Sequence, residues 1–231
     1  ETLTKKEAEK FISKNYDTSI RGVPAYSTLD KVPFFKDPIL SSMLRYSNYD
    51  LVDTIIHELT HTHLFIKNNA GFNERLATFV GGKGAELFYL EKEGVDSPTL
   101  QKVKESNEDA ALFSAFITKE IKSLSEWYED FDHTKNLPPD EKEKLRQDRL
   151  QQIAVNYETE LKPKLKRNKY SLFSRKFNNA DLIDFNTYMK SHDVFEKVYQ
   201  KLGANMPDFL KKCTELNDVE DVEGTFESWA K

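Results

Sequence analysis

The sequence holds a single cysteine, Cys213. That excludes an intrachain disulfide framework and any cysteine-rich zinc site, and a lone thiol is more often an apolar filler than a nucleophile. Long hydrophobic runs are missing too: none approaches the ~18 residues needed to cross a bilayer. Glycine and proline are sparse, at eight each in 231 residues. Nor is there an excess of positive charge. Lys and Arg number 34 against 39 Asp and Glu, for a net charge of −5, and the signs are interspersed. The basic footprint of a nucleic-acid binder is therefore absent. What remains, 38% hydrophobic and 32% charged residues, describes a soluble, helix-rich chain that is neither disordered nor membrane-spanning. Its length suits one domain with a substantial core.

Hydrophobic periodicity predicts helices over about 5–14, 48–67, 74–93, 98–130, 139–166, 179–190 and 192–215. Between the first two, "IRGVPAYSTL" changes character. Gly22 and Pro24 punctuate it, while Val23, Ala25, Tyr26 and Thr28 suit an extended strand. Pro24 cannot donate to a ladder, so an edge strand is expected. Ser47 is the expected N-cap of the second helix and Asn73 that of the third. The glycines of "FVGGKGAELFYLEKE" in that third helix cost stability unless another backbone packs closely there. The charge-rich block 139–166 reads as a surface amphipathic helix. The acidic tail "NDVEDVEGTFESWAK" is expected to be loosely attached.

The chemistry concentrates in "DTIIHELTHTHLF", residues 53–65. His57-Glu58-Leu59-Thr60-His61 is an HExxH motif. Residues at i and i+4 sit one turn apart on one helix face, with Cβ atoms about 5–6 Å apart. Two imidazoles so placed can converge on one zinc ion, and Glu58 can take a proton from a water at that metal. The flanking "LVDTII" and "LFI" make the helix apolar enough to be buried, where aligned histidines and a glutamate require a compensating charge. His63 lies about 200° around the helix from His61 and is excluded from the site. Asp53, one turn before His57, shares the ligand face; it is either an acceptor for an imidazole N–H or a favourable charge in the first turns of the helix.

A third ligand must come from elsewhere. His133 and His192 occupy turn-like contexts far along the chain. Glu74 and Glu86 are nearer, but they lie about 18 Å apart along one helix, so only one can reach the metal. The turn at 68–73 is long enough to bring Glu74 back towards the histidines, and Thr78, one turn further on, could orient a ligand. Spacing alone leaves Glu74 open between a ligand and an ordinary first-turn carboxylate.

"GVPAYSTL", "DPILSSML", "IIHELTHTHLFIK", "FNERLATFVGGKGAE" and "NNADLIDFNTY" resemble the bacterial family of predicted zinc aminopeptidases, gluzincin-like HExxH metallopeptidases. The similarity is dense over about 7–86 and thinner over 177–212. It implies Zn2+ as cofactor, His57, His61 and Glu74 as metal ligands, Glu58 as general base and a peptide as substrate. It also implies one zincin-like domain over 1–231, an α+β but predominantly α fold. A small N-terminal sheet with an edge strand and the active-site helix would occupy 1–95, and a helical part 96–231. In gluzincins a Tyr or His from the C-terminal part often stabilises the oxyanion, and Tyr188 is the candidate. Tyr26 and Ser27, on the expected edge strand, are candidates for pairing with an extended substrate backbone. The chain departs from the family pattern at Thr60 and Thr62, at Arg75 in place of a small residue, and by a longer loop between residues 29 and 37; no departure removes a ligand, and Arg75 and the loop bear on substrate preference.

The resemblance further implies that the chain is the C-terminal portion of a longer protein, with a cell-envelope or periplasmic location. A competing class is a catalytically inactive zincin-fold binding or scaffold protein of the envelope, against which Glu58 argues, because metal retention alone does not require it. Exopeptidase specificity needs a carboxylate that holds a free α-amino group, and nothing in the sequence identifies one.

Overall fold

Ser47 caps the histidine-bearing helix, as its position predicts: its side chain accepts from the backbone N–H of Asp50. In the computed structural model, which describes residues 2–22, 25, 38–130, 136–167, 170, 173 and 175–231, the chain begins with helix α1 (Thr2–Ile12). The histidine helix is α2 (Asn48–His63). It stops four residues short of the predicted end, because Leu64 turns to an extended conformation at the C-cap. Leaving the helix there lets Leu64 and Ile66, at 4% and 1% exposure, reach the core. Asn68 then adopts a left-handed conformation, and α3 (Ala70–Glu93) runs back alongside α2.

Close approach of this pair depends on the glycines. A Cβ on Gly81 would stand 2.3 Å from Asp53 Oδ1, and one on Gly84 2.9 Å from Ile56 Cγ2. The missing side chains are what let the two backbones meet, as their cost in a helix predicts.

Helix α4 (Pro98–Glu129) starts at a Ser97 cap with proline in its first turn. The charged block forms α5 (Pro139–Asn156), which continues into a π-helical turn over Tyr157–Leu161. Helix α6 (Asn179–Met189) carries a capping box made by Asn178 and Asp181. The predicted block 192–215 divides into α7 (His192–Lys201) and α8 (Met206–Cys213), with Gly203 and Ala204 at positive φ between them. Helix α9 (Val222–Trp229) closes the order.

The expected N-terminal sheet is corrected: among the described residues every regular element is a helix, and there is no strand. The candidate strand residues Val23, Pro24, Tyr26, Ser27 and Thr28 lie outside the described residues. The extended segment leading into them pairs with a helix end instead. Asn178 Nδ2 donates to the Thr18 carbonyl at 3.1 Å, Ser19 Oγ donates to Asp181 Oδ1 at 2.8 Å, and Arg21 pairs with Asp184. Strand-like composition marks extended chain, but a strand also needs a partner ladder, and here the start of α6 takes the polar groups.

Helix α3 is central and packs against α2, α4, α6 and α7. One core joins Leu76, Phe72 and Phe79 of α3 to Phe195, Phe209 and Phe226 from the last three helices. A second unites α4, α5 and α6 around Phe113, Phe116 and Tyr157. The tail is not loosely attached. Val222 and Phe226 are 2% exposed, and each such side chain contributes about 1.5–3 kcal/mol by burial. Arg75, a departure from the family pattern expected to bear on substrate preference, is instead buried and paired with Glu223 of α9, so the tail fastens to the helix that bears Glu74. Cys213 is fully buried, and burial pushes its thiol up to about 12, which makes it the inert filler its isolation predicts.

Candidate metal centre

His57 and His61 project from the same face of α2 with their Nε2 atoms 3.2 Å apart. Glu74, in the second turn of α3, stands opposite them: its carboxylate oxygens lie 3.4 Å from His57 Nε2 and 3.6 Å from His61 Nε2. The rings meet edge to face, with centroids 4.9 Å apart. Among the described residues these three form the candidate cluster of metal-ligating groups.

The donor set fits a zinc ion. Two ligands bound at 2.0–2.1 Å in tetrahedral geometry stand about 3.3 Å apart, close to all three observed separations. His61 is 8% exposed, and its buried Nδ1 has no hydrogen-bond partner among the described residues. The ring is therefore held through its Nε2 side. Burial opposes the charge of Glu74, yet its contacts with the two imidazoles outweigh that and lower its pKa to about 2. The carboxylate is thus ionised, as a metal ligand must be.

Asn73 places Glu74. Rather than capping α3, it lies inside the helix, 1% exposed, and reaches across the turn. Its Oδ1 accepts from Ile66 N–H at 2.9 Å and its Nδ2 donates to Ile66 C=O at 2.8 Å. This two-pronged clamp ties α3 to the chain leaving α2, one residue before the ligand. Sequence reasoning missed it, because a helix-start asparagine reads as a cap.

The other site residues sort plainly. Glu58 follows His57 and is half-buried. Tyr188, near the end of α6, lies against the Glu74 carboxylate: burial raises its pKa first, then the charges of Glu74, Asp184 and Glu58. It is 41% exposed. The Asp53 carboxylate rests over Gly81 beside His57. Asp53 and Thr78, each one turn from a ligand, line an adjoining cleft of about 700 Å3. Tyr26 and Ser27 lie outside the described residues, as does His133. His63 is exposed and outside the cluster. His192 packs edge-on against Phe79, and Glu86 bonds to Asn107 at 3.3 Å, so neither joins the site.

The described residues form an all-helical arrangement around a His–His–Glu cluster compatible with a metal ion, with a further glutamate next to the first histidine. The chain belongs to the family described as "Putative aminopeptidase", whose model matches residues 1–226. Searches of curated proteins and of solved structures gave no match. Family membership puts the expected activity among the peptide hydrolases.

Proposed function

We propose that the chain is a zinc-dependent peptidase of gluzincin type that acts as an aminopeptidase on peptides. The observation that carries this reading is the convergence of the two Nε2 atoms of His57 and His61 and the two carboxylate oxygens of Glu74 at 3.2 to 3.6 Å, with Glu58 beside them for acid–base work. His57, His61 and Glu74 would hold the ion, a three-residue donor set of the kind found in catalytic rather than structural sites. Bound there, zinc supplies Lewis acidity towards a carbonyl and makes a water acidic enough to ionise near neutral pH. Glu58 takes the proton of the attacking water and returns it to the leaving amine. Tyr188, whose pKa is raised and whose hydroxyl is therefore protonated at neutral pH, donates to the oxygen on which negative charge develops.

The test is metal content together with cleavage of a peptide library, for wild type and Glu58→Gln. The expected result is zinc in both proteins, with turnover reduced at least ~100-fold in the variant. A zinc-loaded wild type that cleaves nothing would establish the non-cleaving binding protein instead. Cleavage unaffected by Glu58→Gln would remove the mechanism.

A further inference from the structure

The cleft beside the metal cluster is not used by the mechanism above. It begins at Asp53 and Thr78, one turn from His57 and Glu74, and runs along α3 to Glu86, about 12 Å at the helical rise. Small residues make the room: Gly82 and Ala85 on α3, and Ala110 and Ala111 on α4. Phe79, Val103, Tyr170 and Met189 give it apolar surface.

Its charges are unbalanced. Asp50, Asp53, Glu86, Glu108, Asp193 and Glu196 line it and outnumber its lysines, Lys83, Lys104 and Lys197, and Glu108 is paired with Lys166. Lys83 is already engaged, 3.1 Å from Glu196 and 3.8 Å from Glu86, and Lys197 lies 2.9 Å from Asp193. The carboxylate nearest the ligands is Asp53, held over Gly81 and beside His57 Cβ.

We propose that this cleft receives the N-terminal residue of the substrate, with Asp53 holding its free α-ammonium group and the apolar walls taking its side chain. The inference rests on the peptidase reading and deepens it, by supplying the carboxylate that exopeptidase specificity requires. An α-ammonium group is two bonds from the scissile carbonyl carbon, so the group that binds it must stand close to the metal. Asp53, one helical turn from a ligand, meets that condition. The acidic lining favours an unmodified, positively charged N-terminus and disfavours acidic first residues. The far walls favour a long aliphatic or aromatic first residue over alanine.

The experiment uses the zinc-loaded protein in two arms. In the first, wild type, Asp53→Asn and Ala110→Leu are assayed on leucyl and alanyl peptides, each free and N-acetylated. Asp53→Asn is expected to lower kcat/KM for free peptides by about 10- to 150-fold, the range for a hydrogen bond to a charged group, while zinc content is unchanged and the free-over-acetylated preference collapses. Ala110→Leu, which narrows the cleft without touching Asp53, is expected to lower the leucyl-over-alanyl preference about tenfold.

The second arm measures binding of leucine amide and N-acetyl-leucine amide by calorimetry to Glu58→Gln and to the Glu58→Gln, Asp53→Asn double variant. Only the first protein is expected to prefer the free amine. Preference without wild-type turnover upholds the amine site and removes the peptidase reading. Equal binding of the two amides, or loss of zinc as the sole effect of Asp53→Asn, overturns the proposal and leaves Asp53 as a partner of His57.

Discussion

Replacing Asn73 by alanine should damage both the fold and the metal site, by amounts the structure sets. The side chain makes two hydrogen bonds to one backbone residue, at 2.9 and 2.8 Å. Asn73 and Ile66 are each 1% exposed, so no water takes over when the amide is removed. The variant leaves the buried Ile66 N–H unpaired, at about 1–3 kcal/mol, and removes one of two bonds to the Ile66 carbonyl, which keeps the Asn69 N–H at 3.3 Å, at about 0.5–1.5 kcal/mol. The expected loss is therefore about 1.5–4.5 kcal/mol, a large part of the ~5–15 kcal/mol that stabilises a typical domain. Urea unfolding in the presence of a chelator measures this without a metal contribution. Asn73→Asp sets a carboxylate oxygen against the Ile66 carbonyl in a buried site, so at neutral pH it should cost at least as much as alanine. Because Glu74 follows the clamp directly, zinc affinity should fall about 10- to 100-fold, the usual effect of removing a group that orients a ligand. Unfolding within ~0.5 kcal/mol of wild type would refute the burial argument. A destabilised variant with unchanged zinc affinity would refute the link from clamp to ligand.

Two further outcomes test the frame around the site. Phe226 is 2% exposed and packs on Phe195 and Phe72 at centroid distances of 4.5 and 5.2 Å, so Phe226→Ala should cost about 3–5 kcal/mol in denaturant unfolding; a change below ~0.5 kcal/mol would mean that the tail is dispensable. Asp181 joins the extended segment before Gly22 to α6, and although burial opposes its charge, bonds from Ser19, Asn178 and Arg175 lower its pKa. A depressed carboxylate stabilises the fold above its unfolded value of about 3.9 and loses that contribution as pH falls through the folded value. Unfolding of wild type and Asp181→Asn at a series of pH values should therefore show a stability gap at pH 6 that closes below pH 4, and a gap independent of pH would contradict the assignment.

What the sequence made legible follows the range of the interactions. His57, Glu58 and His61 are related by helix periodicity, a local rule, and the shared face of the two histidines follows from the motif alone. The glycines of α3 are equally legible, since their cost implies a close neighbour; only the identity of that neighbour, Asp53 and Ile56 of α2, depends on the tertiary fold. Glu74 is different. Its approach to the histidines depends on where α2 ends, and that depends on Leu64 and Ile66 being drawn into a core assembled from α7, α8 and α9. No window of sequence contains those partners, so spacing leaves the ligand undecided between two readings.

The same distance in the chain conceals the attachment of the tail. An acidic composition around Val222 and Phe226 masks two buried positions, and Glu223 finds its cation 148 residues away. The sheet expectation fails for a related reason: propensity reports what a backbone can adopt, whereas a strand is defined by a partner, and residues 18–21 find theirs at the start of α6. Asp53 joins the two scales. Its place on the ligand face is local, which is why helix periodicity alone marks it. The acidic cleft that it lines is made where α2, α3, α4 and α7 converge, and only there does a carboxylate near the start of a helix become a candidate receptor for an amine.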